Sequence, residues 1–410
     1  MDDLSFAVRF KGILQHPPPN PLPQAEVALG ESSWIGAGSM SLKSLLVSSD
    51  DKTVRILRRV LSDLEIAVEL CSEAEGAIRK ITRQRFEAII VDCSNPEQGG
   101  SILRSAKASP VNKRALSIAL VESAVGLRGG FDMGAHFVLH KPLSGERTKG
   151  SFRAVRALMK RERRLQLRVA VQVPVECNGS NQYRAKTLDL CEGGMAIQFS
   201  GRMVKESPLR FSLELPGLDR KLEICGEVAW GGNGNQAGVR FKDVNEEQRS
   251  ALRQWLNSQL PEPEQDDPPV VCSLTDLSLG GCYLKTSSPF PIKTRVVLST
   301  TMSDLEIRAG GIVRVAHPEF GMGVEFIQAT SEQRDQVQQI VEHLRSNHRR
   351  AVELQVAPEG LDVSSADLET PGQALPSDDA LVGLFRHQSQ VPVEIFLQHM
   401  EEQRQALESR

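Results

Sequence analysis

The stretch DLCEGGMAIQFS at residues 189–200 returns as DLSLGGCYLKTS at residues 276–287. Working outward from these anchors, the match continues in the same order. CGEVAW at 225–230 is answered by AGGIVRV at 309–315, and AGVRF at 237–241 by MGVEF at 322–326. NEEQRSALRQWL at 245–256 is answered by TSEQRDQVQQIV at 330–341. The offset stays at about 85 to 87 residues, so one structural unit has been duplicated. Within a unit, apolar and polar residues alternate in short runs broken by Gly and Asn turns, and an amphipathic helix follows. That pattern predicts a small antiparallel β-barrel or sandwich closed by a helix. The first copy opens on the Arg-rich run 163–168 and the strand VAVQVPVE. The second starts at its Asp-Leu-Ser strand without either, and reads as a truncated copy.

Upstream of the repeat the periodicity changes. LKSLLV, IAVEL, FEAIIV, ALSIALV and HFVLH read as buried strands, with amphipathic helical segments between them. Five strands alternating with helices predict a doubly wound parallel sheet, an α/β fold. The last helical segment, SFRAVRALMKRERR, runs without a break into Arg163–Arg168. The expected organisation is a Pro-rich leader over 1–41, an α/β domain over 42–162 and a first β-unit over 163–260. A Pro/acid linker over 261–269, a truncated second β-unit over 270–346, and a linker with a C-terminal helix over 347–410 complete it. In that final helix Val393, Phe396, Leu397 and Met400 share a face, which fits packing on the protein's own core or pairing with another chain.

Composition narrows the function. Of 410 residues, 40% are hydrophobic and 25% charged, the balance of a chain that buries real cores. A net charge of -3 argues against wholesale electrostatic binding to nucleic acid, and 5% aromatics against a base-stacking platform. No apolar run is long enough to span a membrane, and the acidic start MDDLSF is no secretory signal. Seven scattered cysteines, with no CxxC and no Cys/His cluster, fit reduced thiols and a cytoplasmic location, with no metal or cofactor expected. No nucleophile–base pair, paired general acid and base, or nucleotide-hydrolysis loop is visible, so the expectation is a protein that is not an enzyme.

The residues that carry chemistry gather in the first β-unit. Arg163, Arg164 and Arg168 precede its first strand, while Asp189, Cys191, Gly193 and Gly194 lie at the turn after KTLDL. A guanidinium fork matches the O6/N7 edge of guanine and grips phosphate oxygens. An ionised Asp accepts from the donor edge of guanine, and glycines let a backbone come close. A doubly charged, two-guanine nucleotide would use this mixture. Arg164-x-x-x-Arg168, then Asp189-x-Cys191-x-x-Gly194, then Gly238-Val239-Arg240-Phe241 resemble a PilZ domain, over about 163–260. The resemblance implies cyclic di-GMP as ligand, with the Arg segment folding over it and the Asp strand holding a guanine. Cys191 stands where that family carries Ser, which implies weaker binding by about one net hydrogen bond, ~1 kcal/mol. Asp276-x-Ser278-x-x-Gly281 and Gly323-Val324-Glu325-Phe326 extend the resemblance to the second unit. There the acidic run PEPEQDDPP replaces the arginines, which suggests a structural or interaction copy. Arg345-x-x-x-Arg349 precedes a strand-like VELQV, placed there by chance or as a second clamp.

The 42–162 domain resembles the receiver domain of response regulators, in an eroded form. Asp92 ends the third strand, where the resemblance implies a phospho-acceptor, with Pro96 behind it and Lys141-Pro142 after the fifth strand. The family's acidic pair is reduced to Ser49-Asp50, and its hydroxyl residue is replaced by Val121 unless Ser123 fills that place. Asp92 is therefore either a retained strand-end acid or a working acceptor. The resulting expectation is a cyclic di-GMP-binding regulatory protein acting through an unknown partner protein, with oligomeric state open. The alternatives are an interaction scaffold that binds no nucleotide, and a regulator controlled by phosphorylation of Asp92.

Overall fold

A computed structural model describes residues 42–122, 126–178, 183–199, 209–231, 235–242, 244–259, 266–302, 305–346, 352–362, 379–387, 391 and 393–408. The expected leader over 1–41 and Ser123 lie outside them. From Leu42 the chain alternates strands and helices: β1 (Leu42–Val47), α1 (Asp51–Asp63), β2 (Ile66–Cys71), α2 (Ala74–Arg83), β3 (Ala88–Asp92), α3 (Pro96–Ala108), β4 (Leu116–Val121), α4 (Gly126–Asp132), β5 (Phe137–His140) and α5 (Gly145–Gln166). The five strands form one parallel sheet in the order β2-β1-β3-β4-β5, the predicted α/β fold. Their near-continuous apolar runs are explained by helices on both faces, which leave β3 and β4 almost wholly buried. Asp50 caps α1 through the Lys52 N–H, and Asn95 caps α3 ahead of Pro96 at its first turn.

The first barrel follows: β6 (Val169–Ala170), β7 (Pro174–Asn178), β8 (Tyr183–Cys191), β9 (Gly194–Phe199), β10 (Leu209–Glu214), β11 (Lys221–Gly231), β12 (Gln236–Lys242) and α6 (Glu246–Ser258). The antiparallel ring runs β8-β7-β10-β11-β12-β9 and closes through β9 on β8, with β6 added at β8. The predicted single strand VAVQVPVE is thus two. Pro174 has no N–H for a continuous ladder, and at the break the buried Thr187 hydroxyl accepts from the Val173 N–H at 2.9 Å.

The second barrel is made of β13 (Val270–Leu277), β14 (Gly281–Lys285), β15 (Thr294–Met302), β16 (Leu305–His317), β17 (Gly321–Phe326), α7 (Ser331–Ser346) and β18 (Glu353–Leu361). Its order, β13-β14-β17-β16-β15-β18, is that of the first ring with β18 standing where β7 stands. The registers coincide. Phe211 pairs with Cys177 and Leu298 with Val356, while the Thr187 N–H reaches Val173 O and the Leu274 N–H reaches Val352 O, each at 3.0 Å. The second copy does lack an N-terminal first strand, as its sequence indicates. Its barrel is nevertheless complete, because the strand arrives from beyond α7: the unit is circularly permuted. The reading of 347–410 as linker and helix is corrected accordingly, since VELQV forms that strand. α8 (Ala380–His387) and α9 (Val393–Glu408) then pack on the outside of the second barrel. Phe396 and Met400 are buried there against Tyr283, His317 and Phe385, so the final helix packs on its own chain.

α5 ties these parts together. Phe152, Val155, Leu158 and Met159 join a single hydrophobic core running from the parallel sheet into the second barrel, through Val296, Leu298 and Leu354. The first barrel has a separate core built on Phe211, Leu222, Ile224 and Trp255. Because both long sides of α5 are covered, its apolar residues do not keep to one stripe.

Candidate nucleotide-binding site

The last turn of α5 carries Arg163 and Arg164, and Leu167 ends the helix in extended backbone. Arg168 then leads into β6, whose pairing of Ala170 with Asp189 brings the arginine beside the acid. The Arg168 guanidinium and the Asp189 carboxylate form an ion pair, and the same carboxylate oxygen accepts from the Ala196 N–H at 3.2 Å. Arg164 points elsewhere, into a crevice it shares with Leu167, Val169, Glu192, Arg253, Leu256 and Asn257. Its side chain is 5% exposed and is ion-paired to Asp266. Arg163 is half-buried on the adjoining flank of the turn. The structure thus brings Arg168 and Asp189 together at the junction of α5, β6 and β8, while the Arg164 side chain is held apart from them by a different acid.

Cys191, Gly193 and Gly194 form the turn between β8 and β9. Burial pushes the Cys191 thiol up, although Arg168 and the Gly193 and Gly194 N–H groups oppose that. In the second copy the Ser278 hydroxyl accepts from the Gly280 and Gly281 N–H groups at 3.2 and 3.0 Å, so this side chain serves its own turn. A Cβ on Gly194 would lie 2.3 Å from the Val239 carbonyl oxygen, so this glycine is required by the approach of β12. At Gly193 the same addition would meet Leu165 O at 3.7 Å, an ordinary contact.

Sequence reasoning passed over Glu192, the residue inside the turn. It is buried and meets the buried Arg161 through two hydrogen bonds and Arg253 through a third, at 3.1 Å. Burial alone would raise its pKa, but the Arg161 and Arg253 charges outweigh that and hold the carboxyl below its ordinary value. The Arg161 Nε donates to Glu359 O at 3.1 Å at the end of β18. One residue on, Glu162 accepts from Arg114 Nε at 2.7 Å and from the Leu361 N–H. The motif turn is thereby wired to the α/β domain and to the second barrel. The one available signal was an acid inside a Gly-flanked turn, opposite an Arg-rich helix.

In the second barrel the corresponding turn is covered. The Gly280 N–H donates to Asp379 Oδ2 at 2.9 Å, and Phe385 lies on Gly323 so closely that a Cβ there would stand 2.8 Å from its ring. Arg349 lies outside the described residues.

Asp92 ends β3 as expected, with both oxygens engaged. Ser48 Oγ donates to one at 2.8 Å, Ser94 Oγ to the other at 2.8 Å, and Lys141 Nζ lies 3.1 Å away. Burial raises its pKa, but the bonds from Ser94, Ser48 and Lys141 prevail and keep it below the ordinary carboxylate value. The residue facing Asp92 is Ser48, not the Ser49-Asp50 pair, since Asp50 is spent on capping α1 and on Thr53. Val121 ends β4, as expected. The donor set is one carboxylate short for a Mg²⁺ of the receiver type, because Ser48 faces Asp92 and Asp50 is bonded to the Lys52 N–H and to Thr53. Among the described residues no group of three or more His, Cys, Asp or Glu could hold a metal.

Comparison with known proteins bears on both folds. The family model described as PilZ domain matches residues 162–258 and again 260–343. No curated protein matches the chain at a significant level. Among solved structures, a receiver domain of a sensor histidine kinase from Pseudomonas aeruginosa PAO1 is similar at 28% identity, over 27% of this chain and 92% of that one, with a TM-score of 0.25. The chemotaxis response regulator CheY4 of Vibrio cholerae is similar at 23% identity, over 26% and 91%, with a TM-score of 0.24. The PilZ domain of CeSA from a cellulose-synthesizing bacterium is similar at 21% identity, over 22% and 95%, with a TM-score of 0.19. The PilZ model thus matches twice in tandem, once in each of two barrels of one strand order, behind a domain built on a five-stranded parallel sheet.

Proposed function

We propose that this chain is a cyclic di-GMP-responsive regulatory protein, not an enzyme, with its ligand bound at the first barrel by Arg163, Arg164 and Arg168 with Asp189 and the Cys191–Gly194 turn. The observation that carries this reading is the convergence of Arg168 and Asp189 across β6 and β8, beside the last turn of α5. Cyclic di-GMP presents two phosphodiesters and two guanine edges, which suit arginine forks and an acid acceptor. Output would pass through contacts with a partner protein, carried by the path from Glu192 through Arg161 to β18. No described helix is long and apolar enough to cross a membrane, which fits the cytoplasmic location that such a second messenger requires.

The test is calorimetric titration of the full chain with cyclic di-GMP, beside Arg168→Ala. Arg168 is the residue to change because its side chain is 44% exposed, whereas Arg164 is packed into the fold. Loss of one such contact should weaken binding by about 1–3 kcal/mol. Micromolar binding that the variant weakens would support the receptor. An intact chain that does not bind would leave the scaffold reading, favoured by one observation: both motif arginines are already paired with carboxylates. Phosphorylation of Asp92 is the weaker third reading, because Lys141 and two serines already hold that carboxylate.

A further inference from the structure

α5 presents a basic ridge made of Arg156, Lys160 and Arg164, spaced four residues apart on one face of the helix. The acidic end of the segment joining the two barrels lies on it. Asp267 Oδ1 receives Arg156 Nη1 at 2.5 Å and Lys160 Nζ at 2.7 Å, and Asp266 is ion-paired to Arg164. Pro268 and Pro269 follow, favouring extended backbone at and just before them, and β13 begins at Val270. The two acids are therefore fixed to the second barrel by a short, stiff tether. They differ in depth: the Asp267 side chain is 17% exposed and anchors the segment, while Asp266 is 56% exposed.

A phosphodiester and a carboxylate make the same demand on a guanidinium, two oxygen acceptors carrying negative charge. Arg164 cannot serve both at once, because its side chain is only 5% exposed and Asp266 is ion-paired to it. We propose that Asp266 and Asp267 form an intramolecular phosphate mimic, an acidic strap that occupies Arg164 and is displaced when the nucleotide binds. The proposal rests on the receptor reading above and adds its regulation. Asp266 holds Arg164 from the solvent side, with its own side chain 56% exposed, so a ligand held by several groups at once can take its place. Since the strap continues directly into β13, its release alters the attachment of the second barrel to α5, which turns binding into an output.

The experiment titrates cyclic di-GMP into the full chain and into Asp266→Asn/Asp267→Asn. Asp266→Asn alone is the second variant, because that side chain is 56% exposed and the amide keeps its shape while removing its charge. Removing a competitor raises the fraction of protein competent to bind, so the double variant should bind about three- to tenfold tighter and the single variant less so. Binding by the double variant but not by the wild type supports the strap equally. Equal or weaker binding by both variants overturns the strap and leaves the receptor reading intact. No binding by any of the three proteins overturns the receptor reading, and the strap with it.

Discussion

Glu192 shows how one side chain holds a junction together. A carboxylate so deeply buried is tolerable only because Arg161 and Arg253 compensate it, and removing one partner leaves the other charge stranded. Glu192→Gln should therefore cost about 3 kcal/mol at neutral pH, read from urea midpoints. The pH dependence has a definite sign. The folded pKa lies below the unfolded value of about 4.3, so the contribution is fully present above that value and is lost as pH falls through the folded pKa. The gap between wild type and variant should be wide at pH 7 and close progressively below pH ~4. A gap that stays constant to pH 3 would mean that the carboxylate is not the source of the stability. This residue was hidden in the sequence for a physical reason. An acid between Cys191 and Gly193 looks like an ordinary solvated turn residue until α5 is seen to end against it. The meeting of Arg168 and Asp189 was easier to read, because the motif spacing puts one just before β6 and the other on its partner β8.

Among the elements, β18 matters most. Alternation and Gly turns made both barrels legible, and the repeat gave their common strand order. The sixth strand of the second barrel was not legible, because pattern reading takes a domain to be contiguous and its closing helix to mark its end. A chain truncated after Ser346 would keep every residue of the apparent domain and lose the strand that joins β13 to β15. Two exposed strand edges and an opened core should leave that barrel unfolded and prone to aggregate, whereas truncation after Asp362 should leave it intact. Hydrogen exchange of β13 and β15 amides separates these outcomes. Full protection in the shorter chain would contradict the role assigned to β18. α8 was missed for a different reason: eight residues of ALVGLFRH carry too short a period to stand out beside a Pro/Gly-rich run.

Across the whole molecule, the division of cores differs from the division of the sequence. The receiver-like sheet and the second barrel share one hydrophobic core through α5, while the first barrel has its own. Calorimetry should therefore resolve two transitions, with the receiver-like domain and the second barrel melting together and the first barrel apart. Cyclic di-GMP should raise the first barrel's transition by mass action. A second barrel that melts independently of the receiver-like domain would refute this partition. The circular permutation has a further meaning for a chain made one residue at a time from its N-terminus. The first barrel has all its strands before its closing helix and can finish as soon as it emerges. The second must hold β13 and β15 open until residue 361 is made, several seconds after residue 270 at roughly 5–20 residues per second. Because α5 needs that barrel as a wall, the N-terminal domain also stays unfinished until then. A ribosome that stops early thus releases a chain with visible defects at both ends, and the final strand acts as a proof of completion.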